Sequence, residues 1–178
     1  MTDQQPFLSI VVCAAGVAPR VGRLVDLAHD GGWEVGITAT PNALNFLDTG
    51  ELARLTGNPV RSAWRTPGEP RPTRAADAVV CAPATLNTIT KMASAHADTL
   101  ALGVLTEAPG LGIPTVVLPY LNTAQAAHPA YPRALETLRS MRVLIGSYVP
   151  HAPKTGGGAD RFDWSEALDL LAKSRTAG

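Results

Sequence analysis

The segment Ala82-Pro83-Ala84-Thr85-Leu86-Asn87-Thr88 follows a β-branched apolar run and precedes a stretch whose apolar residues have helical spacing. This order predicts a buried strand, a tight turn and the start of a helix. Unpaired backbone N–H groups and the positive end of the helix dipole favour an anion at such a turn. Thr85, Asn87 and Thr88 add side-chain donors and acceptors that suit a phosphate or a polyol. As an ordinary helix N-cap, Thr85 would need no ligand.

Composition limits the possible classes of protein. The 178 residues are 46% hydrophobic and 17% charged, which suffices for one well-buried α/β domain. The 15 basic and 15 acidic residues cancel, so neither nucleic acid nor an anionic membrane is an expected partner. Because no basic stretch precedes an apolar segment near Met1, and no apolar run could cross a bilayer, we expect a cytoplasmic protein. Cys13 and Cys81 lack CxxC spacing, so we expect buried thiols and no metal site.

Apolar runs alternate with segments of helical spacing along the chain. The pattern predicts a three-layer α/β/α Rossmann-like domain with a six-stranded, mainly parallel sheet. The strands are expected at 7–14, 33–39, 59–61, 78–82, 113–118 and 142–145. We expect a single domain over 1–178, with a core at about 7–146, a Pro- and Gly-rich loop at 147–161 and a C-terminal helix at 162–174.

Three further turns are expected at the edge of the sheet that carries the turn after residue 82. Ala15 and Gly16 follow the first strand, and the absence of a side chain at Gly16 lets the backbone approach a ligand. Thr40 and Asn42 flank a proline at a helix start after the second strand. Asn122 follows the strand expected at 113–118, where it is either a ligand contact or a simple N-cap. No G-x-G-x-x-G dinucleotide fingerprint is present.

The segment 77–91 and the following Ala97-Asp98-Thr99-Leu100 resemble the signature of the homo-oligomeric flavin-containing cysteine decarboxylases. In that family the turn reads P-A-S/T-A-N-T, and a helix and an A-D-N-L motif follow it. Leu86 and Thr99 depart from this pattern. Pro119-Tyr-Leu-Asn122 is similar to the P-x-M-N motif of the family. The resemblance covers most of the chain, from about residue 8 to 145.

The resemblance implies a flavoprotein with FMN as its cofactor and a homo-oligomeric state, a trimer or a dodecamer of trimers. The flavin is then expected between protomers, with its isoalloxazine against residues 83–85. The cofactor contacts implied or suggested by these turns are Ala15, Gly16, Thr40, Asn42, Pro83, Ala84, Thr85, Asn87, Thr88 and Asp98.

Two departures from the family bear on its chemistry. The family carries an active-site histidine in the loop that corresponds to 62–74, where this chain offers Glu69, Pro70 and Arg71. Trp64 in that loop either stacks on the flavin or packs the loop onto the sheet. Gln125-Ala126 occupies the place of the family's M-W pair.

Asn122 is retained, and the resemblance implies that it holds a substrate carboxylate. His128 is the nearby candidate to replace the missing histidine, although a surface position explains it as well. Two functions follow from these observations. One is an FMN-dependent oxidoreductase or decarboxylase that acts on a small molecule or a peptide terminus. The other is a non-catalytic FMN-binding, assembly or regulatory protein that keeps the cofactor pocket without the chemistry.

Overall fold

Apolar β-branched runs form the strands, and the amphipathic segments between them form the helices. The computed structural model describes residues 4–70, 73–154 and 157–176. The strands are β1 (Phe7–Val12), β2 (Glu34–Ala39), β3 (Ala78–Ala84), β4 (Thr115–Pro119) and β5 (Leu144–Ile145). The helices are α1 (Gly22–Asp30), α2 (Thr49–Thr56), α3 (Leu86–Ala93), α4 (Leu100–Gly110), α5 (Thr123–Ala126), α6 (Ala130–Ser140) and α7 (Glu166–Thr176). Short 3-10 helices lie at Ala18–Arg20, Pro41–Phe46 and Ala159–Arg161.

All strand pairs are parallel, and the order in the sheet is β2-β1-β3-β4-β5. β1 lies between β2 and β3. The chain therefore adds β2 on one side of β1, and later adds β3 on the other side. In open α/β sheets, ligands bind in the crevice beyond the carboxyl ends of the strands where the order reverses in this way. The crevice between the ends of β1 and β3 is therefore the place to look for a site.

The sheet has five strands, so the prediction of six was wrong. Pro59–Arg61 was expected to form an edge strand beside β2. Only Arg61 pairs there, through a bridge to Thr38 with backbone hydrogen bonds of 3.0 Å to Ile37 and 2.7 Å from Ala39. Pro59 has no N–H to donate to a ladder, and the loop that follows leaves the sheet at once.

Alternate residues of the strands build two separate cores, one on each face of the sheet. Leu8, Ile10 and Val12 of β1 pack with α1, α2 and α7 on one face. Val11 and Cys13 pack with α3, α4 and α6 on the other. Because side chains alternate between the faces of a strand, continuous apolar runs are needed where both faces are covered. The predicted three-layer α/β/α arrangement is confirmed.

The ends of the chain's later elements differ in detail from the sequence prediction. The helical segment after Asn122 is interrupted at His128-Pro129 and forms α5 and α6. The predicted C-terminal helix over 162–174 begins only at Glu166, because a 3-10 turn and the buried Phe162 and Trp164 precede it. Within the described residues, no helix is long and apolar enough to span a membrane.

Replacing Leu8 by alanine tests the two-sided burial of β1. Leu8 is fully buried in this strand, so Leu8→Ala should lower the free energy of unfolding by about 2–5 kcal/mol. Leu111→Ala is the matched control, since 65% of Leu111 is exposed and the expected change stays within about 0.5 kcal/mol. Urea unfolding of both variants at one protein concentration measures the difference. Similar midpoints would contradict the burial.

Candidate functional site

Four turns meet at the carboxyl edge of the sheet, as the sequence predicted. Backbone hydrogen bonds join them in the order of the strands. They run from Thr40 N to Val12 O (2.9 Å), from Cys13 N to Pro83 O (3.2 Å) and from Tyr120 N to Ala84 O (2.9 Å). The turns after β2, β1, β3 and β4 are thereby fixed side by side, which holds their side chains in place before any ligand arrives.

The turn after β1 contains Ala15 and Gly16. Ala15 is buried, and its carbonyl accepts a hydrogen bond of 2.9 Å from Ala18 N at the start of the first 3-10 helix. Gly16 is exposed, and a Cβ placed there would lie 3.9 Å from the hydroxyl oxygen of Tyr120. The turn after β1 therefore faces the turn after β4 across the end of β3.

Thr40 is the N-cap of the 3-10 helix Pro41–Phe46, but its side chain makes no capping hydrogen bond. Its hydroxyl is half-buried, and Asn42 beside it is exposed. Both side chains are therefore available to a ligand at the end of β2. The first turn of this 3-10 helix carries no acidic residue that would oppose an anion.

The turn that organises the chain lies at the end of β3. Pro83, which follows a cis peptide bond, and Ala84 are buried within the strand. Thr85 is the N-cap of α3, and its hydroxyl oxygen accepts a hydrogen bond of 3.4 Å from Thr88 N. Asn87 is exposed on the first turn of α3, while Thr88 is buried. The capping interpretation of Thr85 is therefore correct, and it leaves the ligand interpretation of this turn open.

A buried cluster of thiols and hydroxyls lies beneath this helix start. Cys13 Sγ is 3.2 Å from Thr88 Oγ1 and 3.7 Å from Cys81 Sγ. Thr85 Oγ1 donates to Thr88 Oγ1 at 3.3 Å. The hydrogen bond with Cys13 and burial raise the pKa of Cys81 well above its usual value, so this residue stays a neutral thiol. Cys13 and Cys81 are buried as expected, and Cys13 connects the end of β1 with Thr88 of α3 and with Cys81 of β3.

Asn122 follows β4 and forms a reciprocal capping box with Gln125. Asn122 Oδ1 accepts from Gln125 N at 2.9 Å, and Gln125 Oε1 accepts from Asn122 N at 3.2 Å. His128 lies at an exposed turn, where its Nδ1 accepts a hydrogen bond of 3.1 Å from Ala130 N. Its ring is thus used to begin α6.

Sequence reasoning missed an aromatic group at this edge, formed by Tyr120, Tyr148 and His151. The ring centroid of Tyr120 lies 5.2 Å from that of Tyr148 and 4.7 Å from that of His151. Tyr148 Oη and His151 Nδ1 are 2.9 Å apart, and Tyr120 Oη donates to Gly157 O at 2.9 Å. Burial raises the pKa of both tyrosines, so they remain neutral. The only signal in the sequence was a histidine between prolines after the last strand.

Two predicted features lie away from the edge. Asp98 follows the end of α3 and pairs with Lys91 at 2.5 Å, which lowers the pKa of Asp98. Trp64 packs against α4, where a Cβ on Gly103 would collide with its ring. The sequence interpretation of Trp64 as a residue that packs its loop is the one that this contact supports.

The loop that contains Trp64 borders a cavity of about 410 Å³ between β1, β2 and α4. The cavity contains none of the predicted flavin contacts and lies towards the amino ends of the strands. Glu69 and Pro70 are exposed in this loop, and Arg71 lies outside the described residues. Over residues 4–70, 73–154 and 157–176, no group of three or more metal-ligand side chains is arranged around a common point.

The carboxyl edge has the properties that an anionic flavin requires. The first turns of α3 and of the 3-10 helices at Ala18–Arg20 and Pro41–Phe46 contain no acidic residue. Free backbone N–H groups at the start of α3 and the unengaged hydroxyl of Thr40 can donate to a phosphate. The exposed Gly16 has no side chain and leaves room for a planar ring beside the strand ends. The residues present therefore fit a flavin with a phosphate.

A family model described as "Flavoprotein" matches residues 2–173, so the chain belongs to this family. The bifunctional coenzyme A biosynthesis protein CoaBC of Mycolicibacterium smegmatis is 30% identical over 172 residues, which is 92% of this chain and 40% of that protein. The chain thus spans about 40% of the length of this curated relative. The predicted flavoprotein family is confirmed.

Solved structures share the fold over nearly the whole chain. The FMN-dependent cysteine decarboxylase SpaF has a TM-score of 0.71 and 24% identity, and the match covers 96% of this chain and 98% of SpaF. The FMN binding protein AtHal3 has a TM-score of 0.72 and 21% identity, with 96% and 98% of the two chains covered. The predicted flavin cofactor agrees with the family, and FMN is the flavin that these two names print.

Substitutions at Asn122 separate its capping role from any role in ligand binding. Asn122→Ala removes the oxygen that accepts from Gln125 N and should lower the free energy of unfolding by about 1 kcal/mol. Asn122→Asp keeps an oxygen there and should retain wild-type stability. Urea unfolding of the two variants tests this directly. An equal loss in both would show that the side-chain oxygen does not cap α5.

Proposed function

We propose that this protein binds FMN at the carboxyl edge of its sheet and uses it to oxidise a small molecule or a peptide terminus. The observation that carries the proposal is the convergence of the turns after β1, β2, β3 and β4 around the start of α3, joined by direct backbone hydrogen bonds. Family membership and the FMN named in the neighbours support the same cofactor.

The residues divide into two groups according to what they offer the flavin. Thr40, Asn42 and the backbone N–H groups at the start of α3 are donors, and we assign the phosphate to them. Gly16 is exposed and Thr85 is half-buried, and we assign the isoalloxazine to them, with the buried Pro83 and Ala84 shaping the turn behind it. Asn87 is exposed on the first turn of α3 and is available to the ribityl chain.

FMN supplies a two-electron acceptor when it is bound, and the protein must hold a substrate beside it. Asn122 lies at the end of the neighbouring strand β4, with its amide held by the capping box. Its Oδ1 accepts from Gln125 N, and its Nδ2 can donate to the substrate. We therefore assign to Asn122 the task of holding an acceptor group of the substrate.

A non-catalytic FMN-binding protein is the second candidate, and one observation favours it. The sequence has no histidine between His29 and His96, whereas the family resemblance implies an active-site histidine in the loop 62–74. In this chain, Trp64 holds that loop against α4. Reduction of the bound flavin by a substrate distinguishes the two candidates.

Binding of FMN, riboflavin and FAD tests the cofactor assignment. The fluorescence of FMN should be quenched when FMN binds. The affinity for riboflavin should be lower by roughly tenfold or more, because riboflavin lacks the phosphate that accepts charge-assisted hydrogen bonds. Thr40→Val removes one unengaged hydroxyl and should weaken FMN roughly tenfold while leaving riboflavin unchanged. Fluorescence titration of the flavin-free protein measures these affinities.

Thr49→Val is the matched control, because Thr49 is exposed at the start of α2 and is not among the predicted contacts. It should leave the affinities for all three flavins unchanged. Equal weakening of FMN and riboflavin by Thr40→Val would remove Thr40 from the phosphate site. A wild-type protein that binds none of the flavins would refute the proposed function.

The missing histidine predicts a low rate in the family's usual reaction. Loss of a positioned acid–base group costs about 10²- to 10⁴-fold in rate, so we expect no appreciable decarboxylation of C-terminal cysteine peptides or phosphopantothenoylcysteine. Mass spectrometry of FMN-loaded protein with each substrate measures the release of CO₂. Rapid release from either substrate would contradict the prediction, and its loss in Asn122→Asp would still place the substrate at Asn122.

We also propose a homo-oligomer, a trimer or a dodecamer of trimers. Large apolar side chains remain exposed in the single chain, among them Trp64 at 58% and Val149 at 66%. Exposed apolar surface of this kind is typical of contacts between subunits. Light scattering should give a mass of at least three chains, each of 18.6 kDa. A monomer at micromolar concentration would contradict the assembly.

A further inference from the structure

The cavity between β1, β2 and α4 is separate from the proposed flavin site. Its volume of about 410 Å³ falls within the range of roughly 300–1,000 Å³ that is typical of small-molecule sites. Thr38 lines it from the sheet, Arg61 and Trp64 from the loop after α2, and Val104 from α4. None of the residues that we assign to FMN lines it. The cavity is therefore a second place at which a ligand can bind.

Small residues in β1 and β2 open the floor of this cavity. Ser9 pairs in register with Gly36, and both lie on the face of the sheet that carries α4. A Cβ on Gly36 would lie 2.5 Å from the ring of Phe7, so this ring occupies the space over the glycine. At this paired position the sheet has no branched apolar side chain to fill the space below α4 and the loop.

The floor also carries a buried hydroxyl that has no partner in the protein. Only 5% of Thr38 is exposed, and within the described residues its hydroxyl makes no hydrogen bond. Other buried threonines do bond, since Thr56 donates to Leu52 O and Thr115 donates to Ile113 O, each at 2.9 Å. Burying a polar group without a hydrogen bond is costly. The hydroxyl of Thr38 is therefore left for a molecule in the cavity.

Arg61 brings a positive charge next to this hydroxyl. It forms a parallel bridge with Thr38, in which Arg61 N donates to Ile37 O at 3.0 Å and Arg61 O accepts from Ala39 N at 2.7 Å. Paired backbones lie about 4.8 Å apart. The guanidinium is half-buried and forms no ion pair or hydrogen bond with the residues that the structure describes. Because arginine stays charged, this group favours an anion.

The other charged side chains of the lining are engaged or exposed to solvent. Arg74 is held by two carboxylates, each at 3.2 Å, and Arg65 donates to a backbone carbonyl of its own loop at 2.6 Å. Glu107 is exposed on α4, so solvent and salt screen its charge. Arg61 is therefore the group that selects the charge of a ligand.

Apolar side chains form the remaining walls of the cavity. Phe7 and Val79 are buried in the sheet, and Val104 faces them from α4. Trp64 lies over Gly103, so its ring closes the gap between the loop and α4. A cation at one end and apolar walls beyond it suit a ligand with a charged end and an apolar body.

We propose that this cavity binds a small monocarboxylate with an apolar body. The guanidinium of Arg61 and the hydroxyl of Thr38 donate to the carboxylate, and the body lies between Trp64 and the sheet. A planar guanidinium matches a carboxylate with two parallel hydrogen bonds. One arginine balances a single negative charge, which favours a carboxylate over a phosphate that carries nearly two. The site does not rest on the proposed flavin function.

The first experiment compares octanoate with octanamide, which share a chain and differ in charge. Calorimetric titration of the whole chain at pH 7 should give octanoate a roughly tenfold higher affinity. Saturating FMN should leave this affinity unchanged, because the cavity and the carboxyl edge of the sheet are separate. Equal affinities for the two probes, or no binding of octanoate, would overturn the proposal. Displacement of octanoate by FMN would place it at the flavin edge and would overturn it as well.

Substitution of Arg61 tests whether this residue causes the preference. Arg61→Gln keeps an amide donor but removes the charge, so the affinity for octanoate should fall roughly tenfold. Its affinity for octanamide should stay as in the wild type, which also shows that the variant folds. Arg133→Gln is the matched control, on an exposed position of α6, and should bind both probes as the wild type does. An unchanged preference for octanoate in Arg61→Gln would contradict the site.

Two buried threonines separate a ligand contact from a structural role. Thr38→Val removes a hydroxyl without a partner, so it should weaken octanoate roughly threefold or more and should not lower the urea midpoint. Thr115→Val removes a hydroxyl that donates to Ile113 O, so it should lower the midpoint and leave the affinity for octanoate unchanged. Equal octanoate affinities in these two variants would remove Thr38 from the site and overturn the assignment.

Tryptophan emission locates the bound ligand. Trp33 and Trp164 belong to the core on the other face of the sheet, whereas Trp64 borders the cavity. Octanoate should therefore change the emission of the flavin-free wild type and not that of Trp64→Phe. The same change in both proteins would place octanoate elsewhere and refute the site. A fall in mass by light scattering as octanoate is added would mean that a second copy of the chain fills the cavity, and the proposal would then be wrong.

Discussion

The parallel pairing of β1 with β2 on one side and with β3 on the other is the constraint on which the site depends. Val12 O accepts from Thr40 N, and Cys13 N donates to Pro83 O, so the turns after all three strands are fixed by the register of the ladder. A slip of one residue would turn every side chain of β1 to the opposite core. The same hydrogen bonds therefore maintain both the packing of the two cores and the geometry of the ligand edge.

Helix caps supply two of the polar side chains at this edge. Thr85 caps α3 and Asn122 caps α5, so each side chain is held in one rotamer by the helix that it begins. A cap oxygen that accepts from the helix has one lone pair engaged and points towards the helix start, while the donors of the same turn stay available to a ligand. Capping thus selects anionic and acceptor groups as ligands, and it orders the site without cost to the helix. Thr40 differs because its hydroxyl makes no capping bond.

The sequence predicted the strands that are buried on both faces and the turns at their carboxyl ends, because continuous apolar runs and small or hydroxyl residues mark them locally. It failed at Pro59–Arg61, where the apolar and proline pattern of an edge strand produced a single bridge at Arg61. Whether such a segment pairs with the sheet depends on the path of the loop that follows it. Here Trp64 packs against α4 and holds that loop there. His151 was missed for a related reason. Its place beside Asn122 arises from a bridge between residues 29 positions apart, which no local pattern encodes.

The histidines show how tertiary pairing, and not proximity in sequence, decides which group reaches the ligand edge. His128 is six residues from Asn122, yet its Nδ1 accepts from Ala130 N, and the helical turn carries the ring outward to solvent. His151 is far along the chain, yet backbone hydrogen bonds on both sides of Asn122 hold it in register with that residue. A loop that pairs with the end of a central strand inherits the rigidity of the sheet. A chain that lacks a histidine in the loop 62–74 can therefore still present one from another loop, at the carboxyl edge of the sheet.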